Sequence, residues 1–457
     1  MHRRDFIKNI TTSILSIPLF NLLSCGIREI IHKLPNILII ISDDTGWNDV
    51  GFHNPEVITP NLNKLAKEGI ELTNFYVHPL CSPTRAALLT GIHPSRFGIL
   101  GPIAGKDKTA LPRNVINLPA FLKNIGYNTA LIGKWHLGLS LSAGPKQYGF
   151  DYTYGYLHGQ IDPYTHMYKF GDKTWHRNDK FIDEKGHVTD LLTEDATRYI
   201  EESSGKGKPF FLYLAYNLPH YPLNEEKKWL DYYNEETNYS RKQFLSAMTH
   251  LDHSIGQVVN CIQKNKLLED TIIIFLSDNG GQKGWTPSPL EYNGRYKAAD
   301  RLGDNSPYRG WKGELYEGGI KVPSLLYWKG KFEKGKNSQL IIVEDIFPTV
   351  AAILNENINN EKTIEGIDIT PSFKGHELPE RTLYWRTKRQ IAVRKGRWKL
   401  IKNLKPNEST PEYELFNLHD DPYEQNNLFD KEKSIAEDLI LEMQQQIIKD
   451  PPYLRNL

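Results

Sequence analysis

Two segments restrict the folds open to this chain more than anything else in it. "PNILIIISDDTGWNDVG" begins with an unbroken apolar run, Ile37 to Ile41, and ends it in Ser42, Asp43 and Asp44. "DTIIIFLSDNGG" repeats the pattern and ends in Ser277, Asp278 and Asn279. A strand without polar alternation is buried on both faces, as in a parallel sheet covered by helices. Further strands are expected in "YNTALIGKWHLG", "KPFFLYLAYNLPHYP" and "VPSLLYW", with a helix opening at Thr59-Pro60 and another near 117–125. Strands alternating with helices, with polar residues where strands end, predict an α/β sheet whose site lies at the carboxyl edge.

Beyond about residue 375 the texture changes. "RTLYWRT", "QIAVRKGRWKLIKN" and "YELFNL" read as antiparallel strands, and 431–448 as a closing helix. The organisation expected is therefore an α/β domain over 35–375 and a smaller α+β subdomain over 376–457. Residues 282–309 form a long stretch rich in Gly, Pro and Asn without periodicity, a length that in a compact domain usually serves function. There is no internal repeat and no low-complexity tract.

The N-terminus reads as an export signal. Arg3 and Arg4 are followed by Phe6, Lys8 and a short apolar run from about Ile14 to Leu23. That run is too short to span a bilayer, and the arginine pair suggests the twin-arginine route. "LLSC" resembles a bacterial lipobox, which makes Cys25 the lipidated first residue of the mature chain; cleavage of an ordinary signal peptide nearby is the alternative. Either way residues 1–25 stand outside the fold and the protein is expected in the periplasm or as a cell-surface or outer-membrane lipoprotein. A net charge of +1 over 457 residues gives no basis for bulk nucleic-acid binding. Of the three cysteines, Cys25 goes to the signal. Cys261 lies in an amphipathic helical stretch, where a buried inert thiol is expected. Cys81 is then left without a disulfide partner in an oxidising compartment.

Asp43, Asp44, Asp278 and Asn279 offer only oxygen at the ends of central strands. Neighbouring carboxylates repel unless a cation or proton lies between them, and hard oxygen ligands suit calcium or magnesium. Taken singly, Asp-Asn-Gly also fits a turn and Asp-Asp a solvated loop; two such pairs on one sheet favour a metal site. "GKWHLG" places Lys134 and His136 two residues apart on a strand, so both are expected on one face. "NLPHYP" places His220 past another strand, and "RGWKGELYEGG" places Lys312 beyond the long loop. Lysines beside a metal suit an anionic tetrahedral group, and histidines supply proton transfer.

With those residues in place, "CSPTRAALLTG" (Cys81–Gly91) matches the C-x-P-x-R signature and trailing Leu-Thr-Gly of the formylglycine-dependent sulfatases. The chain resembles this family over nearly all of 35–428, with the other motifs in the expected order. "GFDYTYGYLHGQIDPYTH" and "YEGGIKVP" are similar to the arylsulfatase B-like and bacterial polysaccharide sulfatase branch. The resemblance implies an alkaline-phosphatase-like fold, with a large mixed, mostly parallel sheet and a smaller C-terminal antiparallel subdomain. It implies oxidation of Cys81 to formylglycine (3-oxoalanine) by a maturation enzyme, with Pro83 and Arg85 in the recognised motif and Arg85 retained in the site. Calcium, or magnesium, would be held by Asp43, Asp44, Asp278, Asn279 and residue 81. Lys134 and Lys312 would bind the sulfate. His220 with Lys312 would protonate the leaving alcohol, and His136 would take the proton that expels sulfate.

The implied substrate is a sulfated carbohydrate, an algal polysaccharide or a glycosaminoglycan oligosaccharide. A position contacting the sugar is hard to align, and Asp162 and His166 are candidates for it, as are Arg295 and Arg301 in the 282–309 loop. The rivals are a phosphatase or phosphodiesterase of the same superfamily, and a non-catalytic glycan-binding lipoprotein should Cys81 stay unmodified. The first would carry a serine or threonine nucleophile and extra Asp/His ligands for a second metal.

Overall fold

The computed structural model describes residues 33–105, 107–358, 363–404 and 412–455. The export segment and Cys25 lie outside the described residues. Ten strands form the main sheet: β1 (Asn36–Ser42), β2 (Ile70–Leu72), β3 (Asn128–Lys134), β4 (Tyr152–Tyr156), β5 (Trp175–Arg177), β6 (Lys180–Phe181), β7 (Phe210–Ala215), β8 (Thr271–Ser277), β9 (Ser324–Tyr327) and β10 (Gly335–Asn337). Their order is β10-β2-β9-β8-β1-β7-β3-β4-β5-β6. The central five, β8-β1-β7-β3-β4, are parallel, whereas β9 and β5 run antiparallel to their inner neighbours.

The central strand shows why its sequence is continuously apolar. Ile37, Ile39 and Ile41 enter one core, and Leu38 and Ile40 enter the core on the opposite face. All five are fully buried, and each such side chain contributes roughly 1.5–3 kcal/mol of hydrophobic stabilisation. Helices α1 (Pro60–Glu68), α2 (Cys81–Thr90), α3 (Leu118–Asn124), α4 (Val188–Ser204) and α5 (Tyr239–Lys264) cover the sheet. Pro60 opens α1, where its missing N–H costs nothing. Asn238 caps α5 by accepting from Arg241 N at 2.9 Å. Cys261 lies in α5 as a buried free thiol.

The C-terminal strands form a separate antiparallel sheet in sequential order: β11 (Thr382–Arg386), β12 (Gln390–Lys395), β13 (Trp398–Asn403) and β14 (Glu412–Asn417). One face packs on helix α6 (Lys433–Ile448) through Leu439 and Met443. From the other face Trp385, Ala392, Ile401 and Phe416 join the main core, and Trp385 Nε1 donates to Val77 O at 3.0 Å. Among the described residues no helix is long and apolar enough to cross a membrane.

One buried charge ties α4 to α5. His250 on α5 bridges Glu225 Oε2 at 2.7 Å and Asp190 Oδ1 on α4 at 3.0 Å, with Trp229 stacked on its ring. Burial alone would lower the imidazolium's pKa, but hydrogen bonds and charge from Asp190 and Glu225 raise it to about 9. An unfolded histidine titrates near 6.5, so this stabilisation is fully present below about pH 6.5 and is lost as pH rises through about 9. His250→Gln is therefore expected to cost about 2–3 kcal/mol at about pH 6. Thermal melts of both proteins against pH should show the gap closing above about pH 9.

Candidate active site

The carboxyl ends of β1 and β8 lie side by side, with Ser42 opposite Ser277 in parallel register. Asp43 and Asp44 therefore emerge beside Asp278 and Asn279, and all four side chains are buried. Asp44 adopts a left-handed backbone conformation, φ 72°, which a short polar side chain tolerates and which turns the chain sharply out of the strand. Gly280 is required by close approach: a Cβ there would lie 1.9 Å from Gly318 O.

Cations close on these carboxylates from three other elements. Lys134, the last residue of β3, places Nζ 2.7 Å from Asp43 Oδ2 and 4.0 Å from Asp278 Oδ2. Arg85 on α2 donates from Nε and Nη2 to Asp278 Oδ2 at 3.1 and 2.7 Å, and from Nη1 to Lys134 O at 3.1 Å. Lys312 Nζ lies 2.7 Å from Asp44 Oδ1 and 2.9 Å from its Oδ2. His220 Nε2 lies 3.6 Å from Asp44 Oδ2, while its Nδ1 contacts Tyr221 O.

Cys81 is the first residue of α2, and all ten residues of that helix are buried. Pro83 falls in the first turn, where no intrahelical N–H is needed, and Gly91 ends the helix in the left-handed conformation, φ 67°. The Cys81 thiol shares its surroundings with Lys134, Lys312, Asp278 and Asp43, and burial outweighs both lysines to push its pKa up. As it stands residue 81 is a neutral thiol, not a thiolate nucleophile.

His136 departs from the expected strand. β3 ends at Lys134, and His136 follows with φ 57° in a left-handed turn. It still reaches the site, because its Nε2–H donates to Ile103 O at 2.9 Å and leaves Nδ1 buried without a partner among the described residues. Ser82 Oγ donates to His136 O at 2.8 Å and accepts from Ile103 N at 3.1 Å. These brace contacts join residues far apart in sequence, so no local pattern announces them. Tyr156, at the end of β4, is a second unforeseen member: it is fully buried beside Asp43, Arg85, Asp278 and Cys81.

The balance of charge has a direction at each group. Burial and the facing Asp278 push Asp43 up to about 8 despite Lys134. Burial acts the same way on Asp44, yet Lys312 and His220 hold it at about 2. Burial and Lys312 pull His220 down to about 3, and burial with Lys134 keeps His136 neutral. A dication fits this arrangement. Asp43 Oδ1 and Asn279 Oδ1 are buried oxygens without a hydrogen-bond donor among the described residues, and Asp43, Asp44 and His220 offer ligand atoms within 4.8 Å of one another.

Three of the four sugar-contact candidates have partners within the protein. Asp162 is fully buried; it accepts from Tyr164 N, Thr165 N and Tyr296 Oη and pairs with Arg295 at 2.7 Å. Asp162 and Arg295 thus clasp the 282–309 loop to the preceding one. His166 is buried, stacks on Trp175 and contacts Gly186 O at 3.0 Å. Arg301 is exposed.

Comparison with known proteins settles the family. A family model described as Sulfatase matches residues 35–356, and one described as N-sulphoglucosamine sulphohydrolase, C-terminal, matches 310–450. The chain belongs to the sulfatase family. It is similar to N-acetylgalactosamine-6-sulfatase of Mus musculus, 30% identical over 80% of this chain and 71% of that protein. Arylsulfatase J of Mus musculus is 29% identical over 90% of this chain and 75% of its own length. Among solved structures, Ps i-CgsB in complex with k-i-k-neocarrahexaose superposes with a TM-score of 0.81 at 29% identity, covering 92% of this chain and 94% of that one. The PsFucS1 sulfatase from Pseudoalteromonas sp. gives 0.75 at 25%, covering 92% and 91%. The enzyme is accordingly a sulfuric ester hydrolase.

The Arg85–Asp278 pair is wholly buried, and removing one partner of such a pair leaves an uncompensated charge. Arg85→Ala is expected to lower the unfolding free energy by about 3–5 kcal/mol in urea titrations. A cost below about 1 kcal/mol, as for a surface pair, would contradict this account.

Proposed function

We propose that this sulfatase hydrolyses sulfate esters on a carbohydrate after conversion of Cys81 to formylglycine by a maturation enzyme. The observation that carries the proposal is the convergence on one buried point of the signature cysteine, three carboxylates, two lysines and two neutral histidines. The carbohydrate preference draws support from a relative named N-acetylgalactosamine-6-sulfatase and from the similar structure in complex with k-i-k-neocarrahexaose. Residues 1–25 would export the chain, with Cys25 as lipid anchor, and the boundary near 375 would separate the catalytic domain from the C-terminal subdomain.

Asp43, Asp44, Asp278 and Asn279 would hold calcium or magnesium. When bound, that cation would neutralise sulfate oxygens and polarise the S–O bond. Formylglycine at residue 81 would supply, as its hydrate, a nucleophilic hydroxyl and a second hydroxyl through which sulfate is later released. Arg85 donates to Asp278 and Lys134 O, so it positions a ligand and a lysine. Lys134 and Lys312 are point charges for the ester oxygens. The departing sugar oxygen needs a proton. Lys312 carries one, its pKa raised by Asp44 against the effect of burial, and His220 Nε2 lies beside the same carboxylate. We assign proton delivery to Lys312; His220, neutral and with its Nδ1–H on Tyr221 O, turns an unprotonated Nε2 toward Asp44 and can only relay a proton. His136, neutral and with Nδ1 free of a proton, is the base that takes a proton at residue 81.

Peptide mass spectrometry across residue 81, on protein made with a maturation enzyme, should show a loss of about eighteen mass units, the exchange of thiol for aldehyde. Cys81→Ala and Cys81→Ser should each lower sulfate release by at least about 10³-fold while leaving the melting temperature unchanged. Asp278→Ala should abolish both activity and the rise in melting temperature on adding calcium. An unmodified thiol in an active preparation, or turnover by Cys81→Ala, would sink the mechanism and leave glycan binding without catalysis as the better reading.

A further inference from the structure

A polar pocket of about 380 Å³ opens at the seam between the main sheet and the C-terminal sheet. It shares no residue with the cluster around Asp43, Asp44 and Asp278. Asn74, Tyr76, Glu317 and Lys321 line it from the main domain; Arg394, Arg397 and His419 line it from the subdomain, with Arg394 Nη1 3.9 Å from Glu317 Oε2. Lys321 and Arg394 are only 7% and 8% exposed, while Arg397 and His419 stand at the mouth.

Positive charge exceeds negative charge here. The buried carboxylates are Glu317 and Glu424, and Lys399 already binds both, at 2.9 and 2.8 Å. Tyr76 Oη donates to Glu317 at 2.5 Å, and Arg394 Nη1 donates to Tyr76 Oη. Lys321 has one hydrogen-bond acceptor, Asn74 Oδ1 at 2.9 Å, and otherwise lies over the rings of Tyr308 and Trp47. Arg394 Nε donates to Gly396 O at 3.1 Å; its Nη2 and the whole Arg397 guanidinium find no acceptor among the described residues. Asp420 accepts from Asn417 Nδ2 at 2.7 Å and lies 4.0 Å from His419. Buried cations in surplus, with donors still open, are electrostatically complementary to an anion. Burial pulls Lys321 down to about 8 even beside Glu317, with Arg394 and Lys399 adding repulsion; a bound anion would offset that repulsion.

We propose that this pocket is a second anion site, separate from the reaction centre, that takes a sulfate group carried on a sugar ring. Arg397 presents an open planar donor fork suited to an oxyanion and Arg394 adds its Nη2, and the volume falls in the range of small-molecule sites and exceeds what a bare ion fills. The site would hold an acidic glycan at a second point and raise its residence time by linking two weak contacts. The same chemistry would also accept a free oxyanion, so the test separates the two sources.

Titration calorimetry on the Cys81→Ala protein, which binds without turnover, would use a sulfated disaccharide, the same disaccharide without sulfate, and sodium sulfate. The sulfated sugar should bind in two classes. Arg397→Glu, an exposed change, should weaken one class at least about tenfold and leave the other and the melting temperature unaltered. Arg394→Gln should weaken the same class, with a lower melting temperature because it removes a buried partner of Tyr76 and Glu317. Sodium sulfate binding sensitive to Arg397→Glu, with no such class for the sugar, would keep the anion site and assign it to the free ion. A single class of binding, unaffected by either substitution in every arm, would overturn the proposal.

Discussion

Three buried carboxylates at the ends of two adjacent parallel strands are the constraint to which the rest of the site answers. Isolated ions in an apolar interior are unstable, and like charges a few ångströms apart are worse. Every neighbouring element contributes to the remedy. β3 ends in Lys134, α2 carries Arg85, the segment after the long loop carries Lys312, and the loop after β7 carries His220. Even so, Asp43 is driven up to about 8, which says that protein cations alone do not compensate the cluster. A dication held by those oxygens would complete it. Fold and catalysis thus share one electrostatic problem: the charges that would bind a sulfate ester also hold the sheet's carboxyl edge together.

Much of this was legible in the sequence, for reasons specific to particular residues. Ile37 to Ile41 and the run before Ser277 could be read because strands buried on both faces lose their polar alternation, and that loss is local information. The antiparallel C-terminal strands and the helix near 431–448 followed from equally local patterns, and the structure places that helix at Lys433–Ile448. Helix α2 was invisible to periodicity because all ten of its residues are buried, so it has no polar face to mark a period. Its importance came through a residue motif and family likeness.

His136 shows the opposite case: right residue, wrong local geometry. The pattern in "GKWHLG" suggested a strand through both Lys134 and His136, but the left-handed turn at His136 ends it. What fixes that turn is the Ser82 hydroxyl, 54 residues away in sequence, and the Ile103 carbonyl. Long-range hydrogen bonds of this kind leave no trace in spacing. They also select the tautomer, since a carbonyl acceptor at Nε2 requires the proton there and strips it from Nδ1.

The same argument distinguishes what the fold supplies from what the loops supply. Positions at strand ends are fixed by β-sheet register, so their chemistry is set once the sheet forms. The 282–309 segment has no such frame, yet it is not free to wander. Asp162 clasps it through Tyr296 and Arg295, and Tyr221 donates to Lys297 O at 2.9 Å directly after His220. Trp285 lies against His220 and Tyr221. Two of the side chains read as candidate sugar contacts, Asp162 and Arg295, hold this wall in place. On the proposed reading, selection among sulfated sugars would fall to the surfaces the clasp presents, Trp285 and the exposed cations of the loop, and to the proposed second anion pocket. The buried carboxylates cannot serve that purpose, because they see only the ester group common to every substrate.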